Sequence, residues 1–151
     1  MEMATEVRAA AAVPVNARLV RLDDAARPAL VGRRCPDCGQ CFFPGRAICA
    51  RCYRIGLDEV TLSGTGKVWS YTVAHQAPAG AIVQPPYVIA QVELPERVLV
   101  ASLITECRPE DVRVGMAVEI VPVKVGQGDE GQDIVAFAFR PAQAPETRDD
   151  G

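Results

Sequence analysis

The chain has 151 residues, enough for one domain or two very small ones, with 49% hydrophobic residues, 23% charged residues and a formal net charge of −3. Those proportions exclude a wholly disordered, collagen-like or coiled-coil chain, and no apolar run reaches the ~20 residues that a membrane span requires. The opening residues lack a basic segment followed by an apolar one, so no secretory signal is expected and the location expected is cytoplasmic. Aromatic residues are only 5%, against twelve Gly and twelve Pro. That balance favours short strands and tight turns.

Residues 1–15 are Ala-rich without a period and read as a flexible lead-in. Over 16–31, Leu19, Leu22, Ala26 and Leu30 recur at helical spacing behind Asn16 as a possible N-cap, which predicts a helix limited by Pro28. Residues 32–57 hold five of the six cysteines. From 58 to 141 the pattern turns to period two, and 142–151 reads as a disordered tail. Within 58–141 the strand-like runs are Lys67 to His75, Tyr87 to Leu94, Arg97 to Thr105, Ala117 to Lys124 and Asp133 to Arg140. The first places Val68, Ser70, Thr72 and Ala74 on one face and Trp69, Tyr71, Val73 and His75 on the other. Arg108 to Val112 is a helical-turn candidate, and 126–131 is the loop of the last hairpin. Five short strands with the longest break between the third and fourth fit a small OB-type barrel. The expected fold is mainly β: a helix, a cysteine-rich ribbon, then a five-stranded barrel.

Cys35-Pro-Asp-Cys38-Gly39 and Cys49-Ala-Arg-Cys52 are two C-x-x-C pairs ten residues apart. Each such turn presents two sulfurs from one knuckle, and two knuckles make the tetrahedral thiolate set that zinc prefers. A segment of some 25 residues buries too little apolar surface to fold alone, so the metal would supply its folding energy. Disulfides fit poorly without a secretory signal, and a thioredoxin-type pair needs a βαβ context that is absent. Cys41 extends the first pair to C-x-x-C-x-x-C, but the fourth-cysteine spacing does not match a ferredoxin cluster. It reads instead as a small buried residue beside Phe42 and Phe43. Four cysteines leave no open position on zinc, so the metal is expected to be structural. Arg33, Arg34, Arg46, Arg51 and Arg54 surround the site against a single Asp37. They either offset the anionic zinc–thiolate centre or form a docking surface for phosphate or an acidic partner.

The barrel half carries ten acidic side chains against six basic ones over 59–141. This is the wrong sign for a nucleic-acid backbone, although an OB barrel with exposed aromatics is a common single-strand binder. Catalytic constellations are thin: His75 is the one histidine, and no G-x-S-x-G, H-E-x-x-H or Walker-type loop occurs. Nothing in the sequence brings Cys107 to His75. Trp69, Tyr71, His75 and Tyr87 are candidates for a binding face, or for barrel packing with an exposed rim.

The order of Cys35-x-x-Cys38-Gly39, Phe43-Pro44, Cys49-x-x-Cys52 and then the Gly66 to His75 strand resembles the rubredoxin-like zinc-ribbon/OB-fold proteins associated with acyl-CoA enzymes. Pro86 to Leu94 and Asp111 to Met116 continue the likeness, which covers about residues 16–141. The resemblance implies a non-catalytic accessory subunit of a thiolase-type acyl-CoA enzyme in a hetero-oligomer, acting in a degradative, β-oxidation-like pathway. It implies structural zinc on Cys35, Cys38, Cys49 and Cys52, and coenzyme A or acyl-CoA as a ligand shared with the partner. Contacts to that ligand or partner are expected among Arg33, Arg34, Arg46, Trp69, Tyr71, His75 and Tyr87. The alternatives are an accessory subunit of a hot-dog enoyl-CoA hydratase or a retro-aldolase, and a stand-alone nucleic-acid-binding ribbon–OB module. Many members of the family follow the last cysteine with Gly, where this chain has Tyr53.

Overall fold

A computed structural model of the chain describes residue 7 and residues 11–142. The expected tail, apart from Ala142, and most of the expected lead-in lie outside the described residues. Ala12–Pro14, at the end of the lead-in, forms strand β1.

The helix expected over 16–31 is not there; the segment is a β-hairpin of β2 (Val20–Leu22) and β3 (Pro28–Arg34), with Val20 opposite Leu30 and Leu22 opposite Pro28. Asn16 does open a turn, its carbonyl accepting from the Leu19 and Val20 amides and its Oδ1 from the Arg18 amide. The turn then stops. Asp23 Oδ1 accepts from the amides of Ala25 and Arg27, and Arg27 Nε donates to its Oδ2, so a carboxylate organises the connection that a helix would have run through. Ala26 takes a left-handed φ of 60°, and Pro28 follows. What decides the outcome is burial: Val20 and Leu30 are almost fully enclosed and belong to the barrel's core cluster.

Strand β3 is the hub of the ribbon. One edge pairs with β2 and, further along, with β4 (Cys41–Phe42), and the other with β5 (Asp58–Thr61). Gly32 makes this junction possible, because a Cβ there would lie 2.8 Å from the Phe42 carbonyl oxygen and 2.9 Å from Leu62 Cδ1. Arg21 of β2 pairs with Glu59 of β5 across the top of the same sheet.

The five barrel strands fall close to their expected places: β6 (Thr65–Ala74), β7 (Tyr87–Glu93), β8 (Leu99–Ile104), β9 (Ala117–Gln127) and β10 (Asp133–Pro141). A 3₁₀ turn at Pro109–Asp111 occupies the expected helical turn. The order β10-β8-β7-β6-β9 closes through a β9–β10 pairing, with β8 and β10 parallel and the other neighbours antiparallel. This five-stranded closed Greek-key barrel is the OB topology. In β7 the alternation is clean, with Val88, Ala90 and Val92 buried between more exposed neighbours. Those residues, Val68, Val100, Val118 and Phe139 fill the barrel, and Val20, Leu30 and Leu62 join the same cluster from the ribbon side. Phe139 stands edge-to-face to Phe137 at 6.2 Å, and Phe137 in turn to Phe43 of the ribbon at 6.3 Å. The two modules therefore share one core.

The faces expected for β6 need correcting. Val68 is opposite Val92 and Ser70 opposite Gln91, so Trp69 is an extra residue in a bulge. Beyond the bulge Tyr71 and Val73 are opposite Ala90 and Val88, which puts them on the face of Val68 and separates Val68 from Ser70.

Candidate metal centre and adjoining cleft

Two knuckles of the same geometry present the cysteines. In the first, between β3 and β4, the Gly39 amide donates to the Cys35 carbonyl and the Cys35 amide to the Gln40 carbonyl, both at 2.9 Å. In the second, framed by a bridge between Ile48 and Ile55, the Tyr53 amide donates to the Cys49 carbonyl and the Cys49 amide to the Arg54 carbonyl, again at 2.9 Å. The position after the last cysteine is left-handed in both, with φ of 81° at Gly39 and 68° at Tyr53. Glycine takes that conformation freely, whereas an L side chain pays about 1–2 kcal/mol.

The four sulfurs of Cys35, Cys38, Cys49 and Cys52 all lie within 4.8 Å of one another. Across the knuckles Cys35 and Cys52 are 3.5 Å apart, Cys38 and Cys49 3.6 Å. Sulfurs placed tetrahedrally about 2.3 Å from a zinc ion would be separated by about 3.8 Å, whereas a disulfide would draw them to about 2.05 Å. The donor set and its spacing fit a structural zinc. Backbone N–H groups are aimed at the sulfurs as well: those of Arg51 and Cys52 donate to Cys49 Sγ at 3.3 and 3.4 Å. Burial pushes the Cys49 thiol up, but the Cys52 and Arg51 amides with the neighbouring thiols outweigh it and bring it down to about 6. The amide of Cys38, and then that of Asp37, hold Cys35 low. Cys52 goes the other way: the Arg54 amide favours its thiolate, yet the Cys35 thiol, burial and the remaining sulfurs push it up to about 12.

Cys41 stands outside the cluster; it is half-buried against the barrel core, and burial raises its thiol. Cys107 is half-buried too, its Sγ directed at the Arg108 carbonyl at 3.4 Å. Burial and then Asp111 raise its thiol, the reverse of what a nucleophile needs.

The arginines divide. Arg33 and Arg46 line a cleft of about 740 Å³ between hairpin and ribbon, together with Arg18, Pro44, Ile55 and Glu59. Arg33 Nη1 donates to the Leu57 carbonyl at 3.1 Å, and Arg46 Nε to that of Ile48 at 2.9 Å, its guanidinium 5.4 Å from the Phe42 ring centre. Arg34, next along β3, lines a different hollow with Cys41, Leu62 and Glu96. Arg54 is bound to Asp37 at 2.7 Å, which ties the two knuckles together. Arg18 was missed in the sequence, because its place on the cleft depends on a hairpin that reads there as a helix. The aromatic set is spread along the barrel: Trp69 (56% exposed) and Tyr71 on β6, His75 just past its end and exposed, Tyr87 half-buried at the start of β7.

A ribbon with four gathered cysteines on a closed OB barrel defines a two-module zinc-ribbon/OB-fold protein. Residues 22–55 match the family model described as the ChsH2 rubredoxin-like zinc ribbon domain, and residues 59–123 that of the ChsH2 C-terminal OB-fold domain. A DUF35 domain-containing scaffold protein of Methanocaldococcus jannaschii is 43% identical over 78% of this chain and 84% of its own length. The chain belongs to the DUF35 scaffold-protein family. A probable enoyl-CoA hydratase alpha subunit of Thermomonospora curvata is 34% identical over 75% of this chain, which corresponds to 34% of that longer protein. The benzoylsuccinyl-CoA thiolase subunit BbsA of Thauera aromatica is 30% identical over 78% of this chain and 79% of its own. Among solved structures, the Ltp2-ChsH2(DUF35) aldolase superposes with a TM-score of 0.62 at 33% identity, over 75% of this chain and 84% of that one.

Proposed function

We propose that this protein is a non-catalytic accessory subunit of a thiolase-type acyl-CoA enzyme in a degradative, β-oxidation-like pathway, and that it helps to hold coenzyme A in the complex. The observation that carries the reading is the likeness over three quarters of the chain to a named thiolase subunit in sequence and to an aldolase complex in structure. The chemistry of the chain agrees with it. Cys35, Cys38, Cys49 and Cys52 hold a structural zinc whose coordination shell they complete, so the metal scaffolds and does not activate substrate. The partner supplies the nucleophile and the base. Arg18, Arg33 and Arg46 converge on one cleft and suit the phosphates of coenzyme A, while the acidic barrel with Trp69, Tyr71, His75 and Tyr87 suits its neutral pantetheine arm or the partner's surface.

Calorimetric titration of coenzyme A into the reconstituted complex tests the arrangement. Arg33→Ala and Arg46→Ala are expected to weaken binding about tenfold each, the loss of one charge-assisted contact, and Arg34→Ala to leave it unchanged because Arg34 lines a different hollow. Equal affinity in all three variants would remove the cleft from the account. The hydratase-named and aldolase-named relatives favour a second reading, the same accessory role on a hydratase or aldolase partner. It differs in which enzyme co-purifies.

A further inference from the structure

The second knuckle carries three large side chains that the ribbon does not bury, one of which, Ile55, also edges the arginine cleft. Ile48 is 46% exposed, Ile55 75% and Tyr53 77%, and the bridge between Ile48 and Ile55 sets the two isoleucines side by side. Apolar residues scattered singly are ordinary on a surface, but three grouped on one metal-braced tip are not. Tyr53 is the most telling. It occupies the left-handed position that Gly39 fills in the first knuckle, with the same pair of backbone hydrogen bonds, so the chain keeps an aromatic ring where its own pseudo-repeat uses glycine. The tip carries a surplus of positive charge: residues 46–55 include Arg46, Arg51 and Arg54 and no acid, and the one carboxylate paired with them among the described residues is Asp37 of the first knuckle. Arg51 makes no ion pair among the described residues, and Arg54 is engaged by Asp37.

We infer that Ile48, Tyr53 and Ile55 form a docking tip that seats in an apolar hollow with an acidic rim on the enzyme subunit. Aromatic anchors surrounded by arginine are the composition of interface hot spots, and a cationic rim around them speeds encounter with an acidic surface. The cluster of four cysteines braces the knuckle beneath the tip and fixes the direction in which Tyr53 projects. This inference rests on the accessory-subunit reading, and it names the surface through which that subunit engages.

The test uses the full chain and the enzyme that co-purifies with the wild type, identified by mass spectrometry and purified as the probe. Tyr53→Gly is expected to weaken binding at least tenfold while the melting temperature stays level or rises by a few degrees, because the left-handed position is then relaxed. Ile55→Ser, on an exposed side chain that also edges the arginine cleft, is expected to weaken enzyme binding measured without coenzyme A, with the melt unchanged. Arg51→Glu is expected to slow association and to flatten its salt dependence. Wild-type binding by all three variants would overturn the docking tip and leave the accessory role standing. A lower melting temperature in Tyr53→Gly would overturn it too, since Tyr53 would then be holding the knuckle. If sedimentation showed the isolated chain self-associating through this tip, the occupant would be a second copy and the inference would fall. If the wild type recovers no acyl-CoA enzyme, the accessory role and this inference fail together.

Discussion

Replacing Cys38 with Ser removes one of four thiolates from the centre while changing one atom. The ribbon's own core is small: Cys35, Cys49 and Leu57 are buried, and Cys38 and Phe42 are packed against them. Two of the three buried residues are the proposed metal's ligands, and Leu57 alone brings about 1.5–3 kcal/mol. Without the metal the segment has little left to hold it, and structural zinc typically supplies roughly 10–16 kcal/mol in small ribbons. Cys38→Ser is therefore expected to lose its metal and to unfold locally over about residues 35–57. The barrel should survive, since most of its core comes from β6 to β10. It should nonetheless weaken by about 0.5–1.5 kcal/mol, the value of one aromatic pair, as Phe43 leaves Phe137. At about 4–8 °C per kcal/mol for a barrel of this size, that is a fall of several degrees in its melting temperature. Metal content by atomic emission, limited proteolysis mapped by mass spectrometry and thermal melts read the three effects. A variant that retains one metal per chain, resists cleavage between β3 and β5 and melts like the wild type would refute the reasoning.

Three further outcomes are expected. Phe139→Ala, at a fully buried ring, should cost about 3–5 kcal/mol in denaturant unfolding, and a midpoint within error of the wild type would remove Phe139 from the core. Gly32→Ala places a Cβ against the Phe42 carbonyl and Leu62, an overpacking worth about 1–3 kcal/mol at the junction of ribbon and barrel; an unchanged melt would show that β3 and β4 can separate freely. The Arg27 amide hydrogen bond, then burial against it, then the Arg27 side chain set the Asp23 carboxyl, and the balance holds it below its usual 3.8. A carboxyl lowered on folding stabilises the hairpin turn above pH ~4 and loses that contribution as the pH falls through the lowered value. The Arg27 amide resonance should follow Asp23 with a midpoint below 3.8, and a midpoint above it would contradict the turn.

Legibility in the sequence tracks how local the determining physics is. The ribbon could be read because a C-x-x-C turn is complete within five residues, and the barrel strands because Val88, Ala90 and Val92 alternate without interruption. The hairpin could not. Leu19, Leu22, Ala26 and Leu30 have helical spacing by coincidence, while the deciding facts are Asp23 capturing amides up to four residues on and the burial of Val20 and Leu30 under a barrel that begins more than thirty residues later. The faces of β6 were misassigned for a similar reason, since a one-residue bulge at Trp69 inverts a period-two reading beyond it. The arginine cleft depends on the hairpin and on the alternation along β3. Arg33 and Arg34 are neighbours in sequence but alternate across β3, and Arg18 reaches the cleft from the Asn16 turn that leads into the hairpin, in a segment whose spacing is helical.

Native recovery of the tagged full chain from its own host, followed by mass spectrometry of the bound proteins, tests the central claim most directly. The account predicts a thiolase-type acyl-CoA enzyme at close to one copy per chain, together with one equivalent of zinc. Recovery of the chain alone, or with nucleic acid that dissociates as salt is raised, would contradict it.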